Sequence, residues 1–379
     1  MLLVAFAAAA AVGIAVDLAW PRHSHASILE FRETFTRYPA SIKVPPNATR
    51  LAFVVRGASG ENGGLVYDPK TNSTVEPGGA GGNGGEISGA VVVGPHTVRP
   101  GDVLRIIPGR SGSGQGTDAL LRGGEGGADI DKESGARGGD GGGGSGVFVE
   151  RSGQWLFVAG GGGGGGGASN LSAGRPGGSA GHPGTSSNTA LGGSLGGWCP
   201  EIGAHTTALR GGPGGRSREG SNGGAGGGGG GGCYGGAGGE SSRLLEGGAG
   251  GAGGRSWNFA GARDVRTGLA PMGDGSVEVI IDVYSEPPPM IISPDRFDLE
   301  VGRAATANVE SQGKPPPHYS VSGEFPAGVR FSYDFSGIGR IRGTPEPGSE
   351  GTYTLHVKAE NEWGSATQVL HLVVHPKSA

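Results

Sequence analysis

Residues 155–168 read Trp-Leu-Phe-Val-Ala followed by glycine at every position from 160 to 167 and then Ala168. The first half is a compact apolar run of strand length, rich in β-favouring side chains. The second half has no side chains to bury and loses more backbone entropy on ordering than any other sequence. A strand that runs straight into such a tract poses one question for the whole chain. Either the glycines are disordered, or something other than apolar packing orders them.

Outward from this junction the same alternation recurs. The 379 residues include 87 glycines, about three times the usual share, and 76 of them lie between Gly57 and Gly275. Between the glycine tracts stand strand signals at residues 28–33, 51–55, 87–93, 102–107 (after the Pro100-Gly101 turn), 147–150 and 276–284. In the last of these Val277, Val279, Ile281 and Val283 share one face, and Glu278 and Asp282 the other, the period-two pattern of a half-buried strand. No segment has a helical period. Strands that return after each tract require the tracts to begin and end at fixed places, which favours order.

The tracts have a period of their own. Gly78-Gly-Ala-Gly-Gly-Asn-Gly-Gly, Gly123-Gly-Glu-Gly-Gly-Ala and Gly247-Gly-Ala-Gly-Gly-Ala-Gly-Gly all repeat every three residues. Polyproline II has three residues per turn and no internal hydrogen bonds. Glycine versions can approach closely enough to bond to their neighbours' backbones, so the expected core is a hydrogen-bonded lattice. In the run from Gly247, Ala249 and Ala252 mark every third position. The expectation is that this face has room for a side chain while the two all-glycine faces are packed. Strict Gly-X-Y with frequent Pro is absent, which excludes collagen.

The remaining signals bound the chemistry. The apolar run from Leu2 to Val16 and the small-x-small triplet Ser24-His25-Ala26 read as a signal peptide over 1–26, cleaved before Ser27, although no Lys or Arg precedes the run. An uncleaved anchor is the alternative, and it is the sole route to a membrane. The net charge of −4 gives no electrostatic basis for nucleic acid; Arg122, Arg137 and Arg210 each precede Gly-Gly but are widely spaced. Cys199 and Cys233 are the two cysteines, and in an exported chain they are expected to form a disulfide. Asn47, Asn72 and Asn170 begin Asn-x-Ser/Thr sequons, potential glycosylation sites in a eukaryotic secretory host. No phosphate loop or helical His-Glu-x-x-His motif occurs, and Gly-x-Gly-x-x-Gly matches only trivially within the glycine strings, with no βαβ unit around it. Gly-x-Ser-x-Gly occurs around Ser179 and Ser194, in Gly/Ser-rich sequence that lacks the strand and helix a nucleophile elbow needs. No catalytic residue, cofactor or metal ligand is therefore assigned.

Two family resemblances rest on ordered sets of motifs. The first runs from Ile28 to Tyr284. It comprises the Val44-Pro-Pro turn, Leu51 to Val55 entering Gly57-Ala-Ser-Gly, Pro100-Gly-Asp-Val-Leu, Gly123 to Ile130, the junction at 156–167, Gly226 to Gly232 ending in Cys233-Tyr-Gly-Gly, and Gly273-Asp-Gly-Ser-Val-Glu-Val. This set resembles the glycine-rich extracellular domain of the anaplastic lymphoma kinase and leukocyte tyrosine kinase receptors and of many bacterial surface proteins. The resemblance implies a jelly-roll-like β-sandwich carrying packed polyglycine helices. No kinase domain accompanies it here, so kinase activity is not carried over, and neither is the receptors' cytokine binding.

The second resemblance covers Ile291 to Val374: Tyr319-Ser-Val-Ser-Gly, Phe325-Pro-Ala-Gly, Gly343-Thr-Pro, Gly351-Thr-Tyr, Val357-Lys-Ala-Glu-Asn and Gly364-Ser-Ala-Thr-Gln. It is similar to the Ig-like, cadherin-related modules of bacterial surface proteins. Cadherin-type modules bind calcium, but Asp295, Asp298 and Glu300 are scattered and form no acidic cluster.

The expected architecture is all-β. A glycine-rich domain spans 27–284, a Pro-rich linker 285–290 and an Ig-like β-sandwich 291–377. The expected role is non-catalytic: a secreted or cell-surface structural or adhesion protein whose partner is a protein or glycan. The alternatives are a disordered glycine-rich wall or matrix component, and a secreted enzyme with an unrecognised site.

Overall fold

A computed structural model describes residues 27–378 except 69, 71–72, 113–119, 130–135, 189–190, 195–208, 218–222, 244 and 334–337. Among these residues there is no α-helix, and the fold is all-β. The chain divides into two compact units, one holding Glu30–Val283 and the other Tyr284–Ala379.

The first unit contains a β-sandwich. One five-stranded sheet has the order β1 (Ser27–Phe35), β12 (Ser276–Ser285), β3 (Ala48–Arg56), β6 (Gly85–Val92) and β11 (Arg263–Leu269). The other has the order β10 (Trp257–Asn258), β9 (Gln154–Ala159), β8 (Ser145–Val149), β7 (Val103–Ile107) and β2 (Ala40–Lys43). A small hairpin pairs β4 (Val66–Asp68) with β5 (Ser73–Glu76). Alternation decides which side chains face inward. Val277, Val279, Ile281 and Val283 of β12 and Leu51, Phe53 and Val55 of β3 all enter the inter-sheet core. They meet Leu104, Ile106, Val147, Val149 and Phe157 from the opposite sheet, with the Phe53 and Phe157 rings 5.4 Å apart. Each such side chain contributes about 1.5–3 kcal/mol of apolar burial.

The unbroken apolar run of β9 has a structural reason. Leu156, Phe157 and Ala159 belong to the inter-sheet core, whereas Trp155 and Val158 join a second cluster with Ile107, Leu121, Leu209 and Cys233. The strand is buried on both faces, so it needs no polar side.

The glycine tracts are ordered by one another. Along residues 161–168 successive N–H groups donate in strict rotation to three neighbours. Gly161, Gly164 and Gly167 donate to the carbonyls of Gly231, Gly228 and Ala225. Gly162, Gly165 and Ala168 donate to Ala58, Glu61 and Gly64, and Gly163 and Gly166 to Gly178 and Arg175. The carbonyls rotate likewise, accepting from Gly85, Gly82 and Gly79, from Gly254, Gly251 and Gly248, and from Gly142, Gly139 and Ala136. The tract thus runs up the middle of six others: 58–64, 79–85, 136–142, 175–178, 225–231 and 248–254. Residues 224–232 form a second such centre, donating to 246–252, 136–142 and 209–215. The backbone N–H groups here all find partners, and at the glycines the gap leaves no room for a Cβ. At Gly161, Gly162 and Gly163 an added Cβ would stand 2.0, 1.9 and 2.1 Å from the carbonyl oxygens of Gly142, Gly82 and Gly251. Three packed faces require glycine at every position, which is why the central tract is homopolymeric.

The outer tracts repeat Gly-Gly-X because two of their three faces are so packed. In the run from Gly247, added Cβ atoms at Gly250 and Gly251 would meet the carbonyls of Pro176 and Gly228, and Ala249 and Ala252 hold the third face. The expectation that this face has room for a side chain holds only for a small one. Ala249 and Ala252 are both 0% exposed, because residues 237–240 lie across them and accept hydrogen bonds from their amides. That face has room for a methyl group and is closed to solvent.

The second unit is an Ig-type sandwich. One four-stranded sheet has the order β13 (Met290–Ile291), β15 (Ala305–Gln312), β18 (Ile338–Gly343) and β17 (Val329–Tyr333). The other has β14 (Arg296–Glu300), β20 (Gly364–His375), β19 (Gly351–Asn361) and β16 (His318–Ser322). β14 runs parallel to β20 and all other pairs are antiparallel. Near the start of β19 the Tyr353 hydroxyl donates to the Ser349 carbonyl at 3.2 Å, the tyrosine corner of Ig domains. Leu355, two residues on, and Val309 on β15 are both fully buried and fill the core with aliphatic packing. Gly328 of the Pro-Ala-Gly turn has φ 81°, a conformation that excludes most side chains.

Candidate binding surfaces

Cys233 lies 1% exposed in the cluster with Trp155 and Leu209. Cys199 is outside the described residues, as is Asn72. Asn170 is exposed beside the Ser169–Ser172 bridge, and Asn47 is half-buried in the turn before β3. Ser179 accepts a hydrogen bond from the Asn83 amide at 3.3 Å, and the Ser194 carbonyl accepts one from the Ala237 amide. Both serines sit in glycine-lattice segments.

On the second unit the three acidic residues are engaged separately. The Asp298 carboxylate accepts hydrogen bonds from Arg296 at 2.8 Å and pairs with His375 at 2.8 Å. Hydrogen bonds first from Arg296 and then from His375 hold its pKa down to about 2. Glu300 accepts from the Ser378 amide, and the Asp295 carbonyl from the His371 amide. Among the described residues no group of three His, Cys, Asp or Glu side chains could hold a metal ion. A shallow depression of about 470 Å³ lies on β16, β19 and β20, lined by alternating outward residues such as Ser320, His356, Lys358 and Thr367.

A larger and more open feature occurs at the edge of the first sandwich. β10 ends one sheet and β11 ends the other, and a cleft of about 620 Å³ lies between them. Trp257 and Asn258 come from β10, Thr267, Gly268 and Leu269 from β11, and His182 from a lattice turn. Gly85 belongs to the same lining, where an added Cβ would meet Ser256 Oγ at 2.7 Å. Trp257 is half-buried and packs against the Trp155 cluster, while Leu269 remains 53% exposed. Sequence reasoning singled out none of these residues. They come from four distant segments, and the one local signal was an aromatic residue directly after a glycine tract.

An ion pair between an exposed arginine and a buried carboxylate lies elsewhere. Arg151 donates to both Asp102 oxygens, at 2.7 and 2.9 Å, and the Arg99 amide adds a third bond at 2.9 Å. Arg151 first, against the cost of burial, holds the Asp102 pKa below its ordinary value. This constellation closes the turn before β7 and is structural.

No family model matches the chain, and no curated protein matches it. Among solved structures, a chimeric titin Z1Z2 is 22% identical, with 24% of this chain and 96% of that one covered and a TM-score of 0.21. A tandem pair of titin Ig domains, A164-A165, is 10% identical over 28% of this chain and 72% of that one, with a TM-score of 0.21. A putative alpha-galactosidase/melibiase from Bacteroides fragilis is 25% identical over 24% of this chain, with a TM-score of 0.21. The chain covers 18% of that enzyme's length.

Proposed function

We propose that the chain is a non-catalytic exported surface protein, a rigid β module that displays binding surfaces at the cell exterior. More narrowly, we assign its first unit to the glycine-rich domains found in the anaplastic lymphoma kinase and leukocyte tyrosine kinase receptors and in bacterial surface proteins. The observation that supports this most is the glycine lattice itself. Its period-three bonding closes onto a β-sandwich, the arrangement that the motif order from Val44 to Val279 implies. An Ig-type unit following in the same chain is consistent with a surface-displayed array. The Leu2–Val16 run and the Ser24-His-Ala26 site supply the export signal in this reading.

The test is expression from the native start, followed by fractionation, labelling of intact cells with an impermeant biotin reagent, and mass spectrometry of the mature N-terminus. The expected result is a surface-labelled or secreted protein beginning at Ser27. An unlabelled protein retained in the cytosol and still beginning at Met1 would overturn the proposal.

A further inference from the structure

The cleft at the edge of the first sandwich is built as a saccharide site, and we propose that it binds one pyranose unit of a glycan, stacked on Trp257. The inference deepens the surface-display reading and rests on it for biological context, but the chemistry stands on the cleft alone. Small-ligand sites are concave, largely preformed, and combine an apolar platform with a few fixed polar groups. Each wall here is held in place. Trp257 and Asn258 pair in register with Val158 and Phe157 of β9, and the Trp257 ring is backed by the buried Trp155 cluster. Asn258 Nδ2 donates to the Phe259 carbonyl at 3.0 Å, which fixes that side chain. Opposite, Thr267, Gly268 and Leu269 pair with Ile87, Glu86 and Gly85. The turn carrying His182 is closed by a bond from His182 to Ser179 and tied to the lattice by two backbone contacts, from Gly181 to Gly254 and from Gly253 to His182. A ligand would meet a formed site, with little ordering cost.

The lining chooses the ligand class. A pyranose ring has an apolar C–H face and a rim of hydroxyl groups. Trp257 and Leu269 match the face, and Asn258, Thr267, His182 and Arg255 match the rim. Among the described residues the lining contains no carboxylate, and those residues offer binding groups instead of the acid–base pair that glycoside hydrolysis uses. An extended peptide laid along β10 or β11 is the competing occupant. It would be recognised by strand backbone and would be indifferent to the Trp257 ring.

The experiment is fluorescence titration and calorimetry of the purified mature chain with cello-, malto-, manno-, galacto- and chito-tetraose, alongside an extended tetrapeptide. At least one saccharide is expected to perturb the tryptophan emission and to bind. Trp257→Ala should weaken that binding about tenfold or more, a loss equivalent to about 1.4 kcal/mol. Thr267→Trp guards against misfolding: Thr267 is an exposed residue of the lining, so the variant should melt like the parent while its larger side chain obstructs the cleft and abolishes binding. No response to any of the five saccharides overturns the proposal, as does peptide binding alone. So does saccharide binding that survives both substitutions, which would place the site elsewhere. None of these failures would move the protein from the cell surface, so the display reading is tested separately.

Discussion

Adding one methyl group to the centre of the lattice, Gly164→Ala, should cost more than removing a large side chain from most cores. A Cβ on Gly164 would stand 2.1 Å from the Gly139 carbonyl oxygen and 2.6 Å from its carbon. Ordinary carbon contacts lie near 3.5–4.0 Å, so residues 161–168 and 136–142 would have to separate by more than 1 Å. That separation breaks the bonds from Gly142 to Gly162, Gly139 to Gly165 and Ala136 to Ala168, now 2.7–2.8 Å long. Each carries about 1 kcal/mol net, and up to about 3 kcal/mol when its groups are left buried and unpaired. The expected loss is about 3–6 kcal/mol, a large part of the 5–15 kcal/mol that holds a typical domain. At about 2–4 °C per kcal/mol for a unit of this size, the melting temperature should fall by about 10–20 °C. Gly94→Ala is the control, since a Cβ there meets nothing within 4 Å, and it should stay within about 0.5 kcal/mol of the parent. Calorimetry of the three proteins decides the matter. A Gly164→Ala variant that melts with the parent would refute the reasoning and mean that the tracts are not packed.

Further outcomes follow from the same structure. Ala252→Val should also destabilise, by about 1–3 kcal/mol of overpacking, because its face is closed; Gly250→Val should be worse, and thermal melts will rank them. Ser145 is 0% exposed, donates to the Arg56 carbonyl and accepts from the Gly109 amide at 2.7 Å. Ser145→Ala should cost about 1–3 kcal/mol in denaturant unfolding by leaving both groups unpaired. For Asp102 the folded pKa lies below its ordinary value. The Arg151 pairing therefore contributes fully above about pH 4 and is lost as pH falls through the folded value. Arg151→Gln should lower stability at neutral pH, and stability measured against pH should show that difference shrinking in acid. Cys199 and Cys233 should resist thiol labelling in the oxidised mature protein, and reduction should remove roughly 3–4 kcal/mol of loop-closure stabilisation; quantitative labelling of both would exclude the disulfide.

The parts of the fold that were legible in the sequence are those where side chains carry a period. β12 could be read from Val277 to Val283 because every second residue enters the core. β17 was missed because Val329–Tyr333 buries only its first residue well. β11 was missed for a related reason. Arg263–Leu269 is almost wholly exposed, has a register shift between Arg263 and Arg266, and holds Asp264 at φ 55°. Backbone pairing to β6 forms that strand, and backbone pairing leaves no trace in side-chain pattern. The lattice shows the same limit. Its period of three was visible, but glycine carries no information about which tract bonds to which, so the central place of residues 160–167 emerged only in three dimensions. The alanine face misled for want of that map: residues 237–240, which cover Ala249 and Ala252, are themselves a glycine-rich tract. The edge cleft was hidden because β10 supplies only two residues and β11 had not been recognised.

Native-state hydrogen exchange tests the central claim, that a backbone hydrogen-bonded lattice orders the glycine tracts, most directly. In the folded protein at neutral pH the amides of Gly161 to Gly167 should be protected to the same level as those of β3 and β9, and should exchange only through opening of the whole unit. Exchange of those amides at the rate of an unstructured glycine peptide, with β3 and β9 still protected, would contradict the account.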